Sequence, residues 1–263
     1  MYPFDYVRPT SLAEALKAGA GGGFLAGGMT LLPSMKLRLS NPDRLVDLSG
    51  VAELTGLTVA ADRVVIGAMT RHVDVASSAE LGRVLPALAG LAGGIGDPLV
   101  RTRGTIGGSL ANNDPSADYP GAVLALGATV VTDRREIAAD AFFTGMFSTA
   151  LAPGELITRV SFPVPRRAAY IKFPSPASRY AMVGVFVAYT GKEIRVAVTG
   201  AAACVHRWAA CEAALSAKFD VDSLVGLTVP TDGLNQDLHG SAEYRASLVP
   251  VIARRAVAAA LAP

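Results

Sequence analysis

"RGTIGGSLANNDPSADYPG", residues 103–121, gathers two adjacent glycines with Ser109, Asn112, Asn113, Asp114, Ser116 and Asp118 in a chain otherwise rich in Ala, Val and Leu. Adjacent glycines permit positive φ and let a ligand approach backbone N–H groups, and successive N–H groups form an anion-binding concavity. A second stretch of this kind, "LAGGMT" at 25–30, lies upstream, and in both a Thr or Ser stands beside the glycines as a further donor. Tight-turn geometry explains either one alone. Two of them, each beside a short apolar strand, point to one anionic ligand held between them.

Sharper motifs fail on inspection. "GGIGDPL" has Gly94 and Gly96, but Leu99 stands where a dinucleotide fingerprint needs its third glycine, and Pro98 with the preceding helix spoils the strand–turn–helix context. There is no Walker lysine motif. Asn112, Asp114, Ser116 and Asp118 alternate like the start of a calcium loop, yet Ala117 and Val123 occupy the positions of its glycine and closing glutamate. His72, His206 and His239 show no metal-ligand spacing. No Ser-His-Asp or Cys-His arrangement is legible, so the residues speak for ligand binding rather than acid–base or nucleophilic catalysis.

The bulk properties narrow the field. With 263 residues, 51% hydrophobic and 17% charged, the chain is long and apolar enough for a full core. A net charge of +2 makes no case for nucleic acid or an anionic membrane. No run approaches the roughly 18–20 apolar residues of a spanning helix. The amino terminus carries no export signature. Cys204 and Cys211 are too few for a disulfide framework, or for the about four thiolates of an iron–sulfur cluster. A cytoplasmic protein without a cluster of its own is expected.

Outward from the opening stretch, Ser11 and Glu14 form a capping-box pattern for a helix ending at Gly19. "TLLPSMKLRL", "SAELGRVLPALAGLAGG" and "YPGAVLALG" read as helices, and "DRLVDLS", "RVVIGA" and "ATVVTD" as strands. Strand, helix and glycine turn alternate to about residue 160, which argues for an α/β unit. Extended, proline-rich segments follow. The strands "MVGVFVAYT" and "KEIRVAVTG" come next, then the helices "HRWAACEAALSAK" and "AEYRASLVPVIARRAVAAAL". A second unit of α+β type is expected, with its boundary near residues 160–168.

With both glycine stretches in view, the chain resembles the FAD-binding medium subunits of the molybdenum hydroxylases, the carbon monoxide dehydrogenase and xanthine dehydrogenase group. "FDYVRPTSLAEAL", "LAGGMTLLPSMKLRL", "RTRGTIGGSLANNDPSADYPGAVLALGA", "ELITRVSFP", "YIKFPSPASRYAMVGVFV" and "DLHGSAEYRASLVPVIARRAV" carry the likeness in order over nearly the whole chain. The resemblance implies an α+β protein with a vanillyl-alcohol-oxidase-type flavin domain over 1–165, built of two α/β subdomains (about 1–55 and 56–165). A smaller carboxy-terminal α+β domain would occupy 166–263. It implies non-covalent FAD, since neither glycine stretch holds a histidine for covalent attachment.

By the same resemblance, Leu25, Ala26, Gly27, Gly28, Met29, Thr30 and Leu31 would wrap the pyrophosphate, met from the other side by Thr105, Gly107, Gly108 and Ser109. Asn112 and Asp118 would contact or shape the phosphate–ribityl portion, Ile157 would pack beside the adenine or ring system, and Lys172 and Tyr180 would lie near the isoalloxazine. Plain alternatives stand beside these roles. Asp118 is equally an N-cap for the helix at Tyr119, Tyr180 a packing residue, and Lys172 a solvated strand-edge cation. Arg101 and Arg103 would balance the pyrophosphate or sit at a subunit contact. Met29 and Ser109 depart from the polar residue and the Asn common in the family, at positions that would mainly use backbone groups.

The function implied is electron transfer: from a molybdopterin on a large partner, across a small [2Fe–2S] subunit, through FAD here, to an external acceptor, in a dimer of heterotrimers. The alternatives are a stand-alone flavin-dependent oxidase or dehydrogenase and a non-redox nucleotide-binding protein on the same fold.

Overall fold

The structure is a computed structural model that describes residues 1–262. The chain first builds a small parallel sheet. Strands β1 (Asp5–Val7), β2 (Gly23–Leu25) and β3 (Arg44–Asp47) lie in the order β1-β3-β2. Helices α1 (Leu12–Gly19) and α2 (Leu31–Lys36) make the connections. Ser11 caps α1 by accepting the Glu14 N–H at 3.3 Å, while the Glu14 carboxylate reaches back to the Thr10 N–H at 3.0 Å. Two end donors are thus satisfied, but Glu14 takes the Thr10 N–H, one residue before the Ser11 N–H that a capping box predicts.

A larger sheet follows. Strands β4 (Leu57–Val59) and β5 (Arg63–Gly67) form a hairpin. Helices α3 (His72–Ser77), α4 (Ala79–Val84), α5 (Pro86–Gly93), α6 (Pro98–Arg103), α7 (Ile106–Asn112) and α8 (Tyr119–Ala125) then run in succession. Next come β6 (Thr129–Thr132), β7 (Glu136–Ala138), α9 (Ala139–Phe142), a small hairpin of β8 (Phe143–Gly145) and β9 (Ser148–Thr149), and β10 (Ile157–Pro163). The sheet order is β4-β5-β10-β6-β7, with every pairing antiparallel. Strand–helix alternation therefore gives a parallel sheet only in the first unit. In the second, tight turns join β4 to β5 and β6 to β7, and a tight turn permits only antiparallel neighbours.

Two sequence expectations are corrected here. The single helix read over "SAELGRVLPALAGLAGG" is two, because Pro86 forces Leu85 out of helical geometry (φ −143°, ψ 65°) and restarts the helix as its first residue. "HRWAACEAALSAK" is helical only from Ala209, since His206–Arg207 pair with the sheet as a strand.

Between Pro163 and Arg167 the chain passes into a third, antiparallel sheet of β11 (Arg167–Pro174), β12 (Ala181–Tyr189), β13 (Ile194–Thr199) and β14 (His206–Arg207), in that order. Helices α10 (Ala209–Ala217) and α11 (Ala242–Leu261) cover one face, packing Trp208, Leu215, Ile252 and Val257 on Val183, Val185, Val196 and Val198. The other face presents Phe186, Ala188 and Ala197 to the core that α5 and α8 share with the second sheet. Burial on both faces explains why "MVGVFVAY" is apolar without alternation. The whole is α+β, as expected.

Candidate functional site

A cleft of about 660 Å³ opens between the first sheet, α6–α8 and the loop before β12, within the ~300–1,000 Å³ typical of small-molecule sites. Of the residues proposed from sequence, Ala26, Gly27, Gly28, Met29, Thr30, Leu31, Thr105, Gly107, Gly108, Ser109, Asn112, Asp118, Ile157 and Tyr180 all line it. Leu25 sits behind it in the small core of Met35 and Leu45. Lys172 also lies outside the lining, behind Asp118.

The first glycine segment behaves as its sequence suggests. Gly28 has φ +73°, the left-handed turn that only glycine adopts without cost. The turn leaves the N–H groups of Gly28, Met29 and Thr30 without an acceptor among the described residues, ahead of α2. Three consecutive free donors facing a cleft form the concavity that suits a pyrophosphate.

The second segment does not, and the expectation of a glycine turn there is corrected. Residues 106–112 are the helix α7, with Thr105 as N-cap. Its first donors are already satisfied: Ile106 N–H by the Thr70 carbonyl at 3.1 Å, Gly107 by Ala68 at 2.8 Å, and Gly108 by the Thr105 hydroxyl at 3.2 Å. Gly107 and Gly108 serve close approach instead of positive φ. A Cβ on Gly107 would lie 2.8 Å from the Ala68 carbonyl oxygen, and one on Gly108 would lie 3.5 Å from Ala26 Cβ. Gly27 reciprocates, since its Cβ would fall 2.6 Å from the Arg103 carbonyl carbon and 2.8 Å from Gly104 Cα. The two segments touch through their glycines, and α7 offers the cleft the side chains of Ser109 and Asn112.

The remaining groups have visible partners. "GGIGDPL" is a helix start: Asp97 caps α6 by accepting the Val100 N–H at 2.9 Å, with Pro98 at its first position. Arg101 donates to the carbonyls of Ile95 at 3.0 Å and Gly96 at 3.3 Å, so its Nη1 holds that turn closed. Asp114 accepts the Ser116 N–H at 2.8 Å, a turn bond.

Asp118 makes no capping bond, which corrects the N-cap alternative. Its carboxylate instead accepts from the Tyr170 hydroxyl at 2.5 Å and from Lys172 Nζ at 3.0 Å. Burial pushes the Asp118 carboxyl above its ordinary range, and Lys172 and Tyr170 pull it back. Lys172 also donates to the Gly94 carbonyl at 2.8 Å, so it is not a solvated strand-edge cation. Tyr180 is half exposed at the cleft wall.

Residues with no sequence signal also line the cleft. His72 is 4% exposed, its Nδ1 has no partner among the described residues, and burial holds its imidazole pKa down at about 4. Its ring edge lies where a Gly104 Cβ would be, 2.6 Å from Nε2. Glu155 accepts from Arg135 at 2.9 and 3.0 Å, Thr132 at 2.8 Å and the Ala152 N–H at 2.7 Å, which lowers its carboxyl to about 2. An isolated His or Glu carries no spacing pattern, so neither was recoverable from sequence.

A dinucleotide fits this cleft: free amides for its phosphates, a fixed carboxylate for hydroxyl or N–H donors, and apolar walls at Ile95, Val100, Leu151, Leu156 and Ile157. Comparison with known proteins agrees. Residues 2–165 match the family described as the FAD binding domain in molybdopterin dehydrogenase. The chain is 36% identical to the carbon monoxide dehydrogenase medium chain of Afipia carboxidovorans, over 97% of this chain and 95% of that one. It is 34% identical to the nicotine 6-hydroxylase medium subunit of Paenarthrobacter nicotinovorans, over 96% and 95%. A solved structure of carbon monoxide dehydrogenase from Hydrogenophaga pseudoflava, lacking the Mo-pyranopterin moiety of its molybdenum cofactor, superposes with a TM-score of 0.85 at 35% identity over 99% and 98%. The chain belongs to the FAD-binding medium subunits of the molybdenum hydroxylases, an oxidoreductase family.

Proposed function

We propose that this chain carries electrons through FAD in a complex whose substrate chemistry takes place on another subunit. The observation that carries this reading is the row of unpaired N–H groups at Gly28–Thr30, set by the Gly28 turn on one wall of a dinucleotide-sized cleft. In this reading the pyrophosphate rests on those amides. Ser109, Asn112 and Asp118 meet the ribityl and ribose hydroxyls. Ile157 and Tyr180 pack against the ring systems, Leu31 lines the cleft beside the loop, and Leu25 braces the loop from behind. FAD supplies the redox chemistry when bound, and the chain's residues bind it, orient it and shield it.

Electrons would arrive from a small [2Fe–2S] subunit that receives them from a large molybdopterin subunit, and would leave to an external acceptor. The assembly would be a dimer of heterotrimers in the cytoplasm. The domain division into 1–165 and 166–263 belongs to the same proposal. Both cysteines are free thiols, in keeping with a reducing compartment, and among the described residues no helix is long and apolar enough to cross a membrane.

The purified chain is expected to show flavin absorbance, alone or after incubation with FAD, that dithionite bleaches. Native mass spectrometry of the complex is expected to show a large molybdenum-containing partner. Colourless protein that takes up no FAD sinks the proposal.

A further inference from the structure

The cleft wall at Asp118 is finished from outside the flavin-binding segments. Tyr170 and Lys172 lie two apart on β11 and so project to the same side of the third sheet. Tyr170 is partly buried with its hydroxyl on Asp118, and the Lys172 side chain is 13% exposed. Strand β12 makes room for the phenol: a Cβ on Gly184 would lie 2.8 Å from Thr199 Cγ2 and 3.0 Å from Tyr170 Cε2, and closer still to the Tyr170 hydroxyl. A glycine inside an otherwise unbroken apolar strand weakens that strand, so its presence here follows from the tyrosine beside it. Lys172 is anchored a second time on the Gly94 carbonyl, at the end of α5. Both Asp118 oxygens therefore receive a donor from β11, and each keeps a lone pair for another.

We propose that Tyr170 and Lys172 are positioning residues that hold the Asp118 carboxylate, ion-paired and fixed in direction, as an acceptor for a hydroxyl or N–H group of the bound flavin nucleotide. Lys172 acts through Asp118 and does not touch the ligand. The inference rests on the FAD reading above and gives the third sheet a direct part in cofactor recognition. The titratable and charged groups around Asp118 are Tyr170 and Lys172 from β11, Tyr119 beside it on α8, Asp114 before α8, Tyr180 before β12, and His72 of α3 beyond Tyr119, with ring centroids 5.3 Å apart. Among the described residues, Lys172 is the one cation that contacts it. Without Lys172, burial is opposed only by the Tyr170 hydrogen bond and favours a proton on Asp118.

The test uses the purified full chain and its Lys172→Met, Tyr170→Phe, Asp118→Asn and Lys172→Met/Asp118→Asn variants. Melting of the FAD-free proteins separates folding defects from cofactor defects. FAD dissociation constants and infrared spectra at neutral pH are then compared. Lys172→Met is expected to show the carbonyl stretch of a protonated carboxylic acid, absent from the wild type and lost again in the double variant. FAD binding is expected to weaken ~10-fold in Lys172→Met and in Asp118→Asn, with no further loss in the double variant, because the residues act as a unit. Tyr170→Phe is expected to weaken it ~5-fold, and it carries the test should Lys172→Met not fold. Two results overturn the proposal: no new acid band in Lys172→Met, or losses that multiply in the double variant. In the Tyr170→Phe arm, unchanged FAD affinity does the same. A wild-type chain that takes up no FAD refutes the underlying flavin reading instead.

Discussion

Gly27→Ala tests whether glycine contact between the two segments builds the cleft. The new methyl would lie 2.6 Å from the Arg103 carbonyl carbon and 2.8 Å from Gly104 Cα, and nearer still to the Arg103 oxygen. Carbon atoms pack at about 3.5–4.0 Å, so the segments must part by about 1 Å. Everything in contact is backbone, and no side chain can swing aside. Overpacking of this kind costs about 1–3 kcal/mol, and in a chain this size each kcal/mol lowers the melting temperature by about 2–4 °C. The free amides of Gly28–Thr30 move with the loop, so FAD binding is expected to fall ~10-fold or more, each tenfold being about 1.4 kcal/mol. Thermal melting and fluorescence titration with FAD read the two effects separately. Gly90→Ala is the control: Gly90 lies within α5 with open space around its Cβ position, and alanine there is expected to stabilise by about 0.5–1 kcal/mol with FAD affinity unchanged. A Gly27→Ala protein that melts and binds FAD like the wild type would refute the contact argument.

Three further outcomes are expected. Thr105→Val keeps the shape of a buried residue but removes the hydroxyl that accepts the Gly108 N–H at 3.2 Å, and should cost about 1–2 kcal/mol in denaturant melts. Asn113 sits at φ +42° after α7, and its amide donates to the carbonyls of Gly145 at 2.8 Å and Ser148 at 2.7 Å. Asn113→Ala strands both acceptors and should destabilise by about 2–4 kcal/mol, with protease cleavage appearing first at the 143–149 hairpin. Glu155 has its pKa lowered to about 2 in the fold, against ~4.3 unfolded. Its stabilisation is therefore complete above about pH 5 and disappears as pH falls through 2. Glu155→Gln should melt below the wild type at pH 7, and the gap should close over that window.

Local signals were legible and distant ones were not. The Ser11 cap, the α2 start and the Gly28 turn depend on residues within a few positions of one another, and the structure has them as read. The break at Leu85 was also within reach, since Pro86 stood in plain view, but the apolar pattern continued across it and masked the stop. Asp118 was different in kind. Its acceptor role depends on Tyr170 and Lys172, 52 and 54 positions away on another sheet, and no spacing rule connects them. The N-cap alternative was the best local explanation of a residue whose real partners are not local.

The two Gly-Gly pairs mark the limit most clearly. Sequence treats them as equivalent, yet only Gly28 takes positive φ, while Gly27, Gly107 and Gly108 let backbones and small side chains meet. The distinction moves the anion-binding work onto one wall. The amides of Ile106, Gly107 and Gly108 at the start of α7 are bonded to Thr70, Ala68 and Thr105, so the run of free backbone donors lies in the first segment, through Gly28–Thr30. Substitutions at Gly107 should therefore harm folding and cofactor binding together, because they lift α7 off Ala68. Changes confined to the 28–30 turn should harm cofactor binding with little effect on the FAD-free melt. Equal damage to both properties at both sites would mean that the two segments share the phosphate after all.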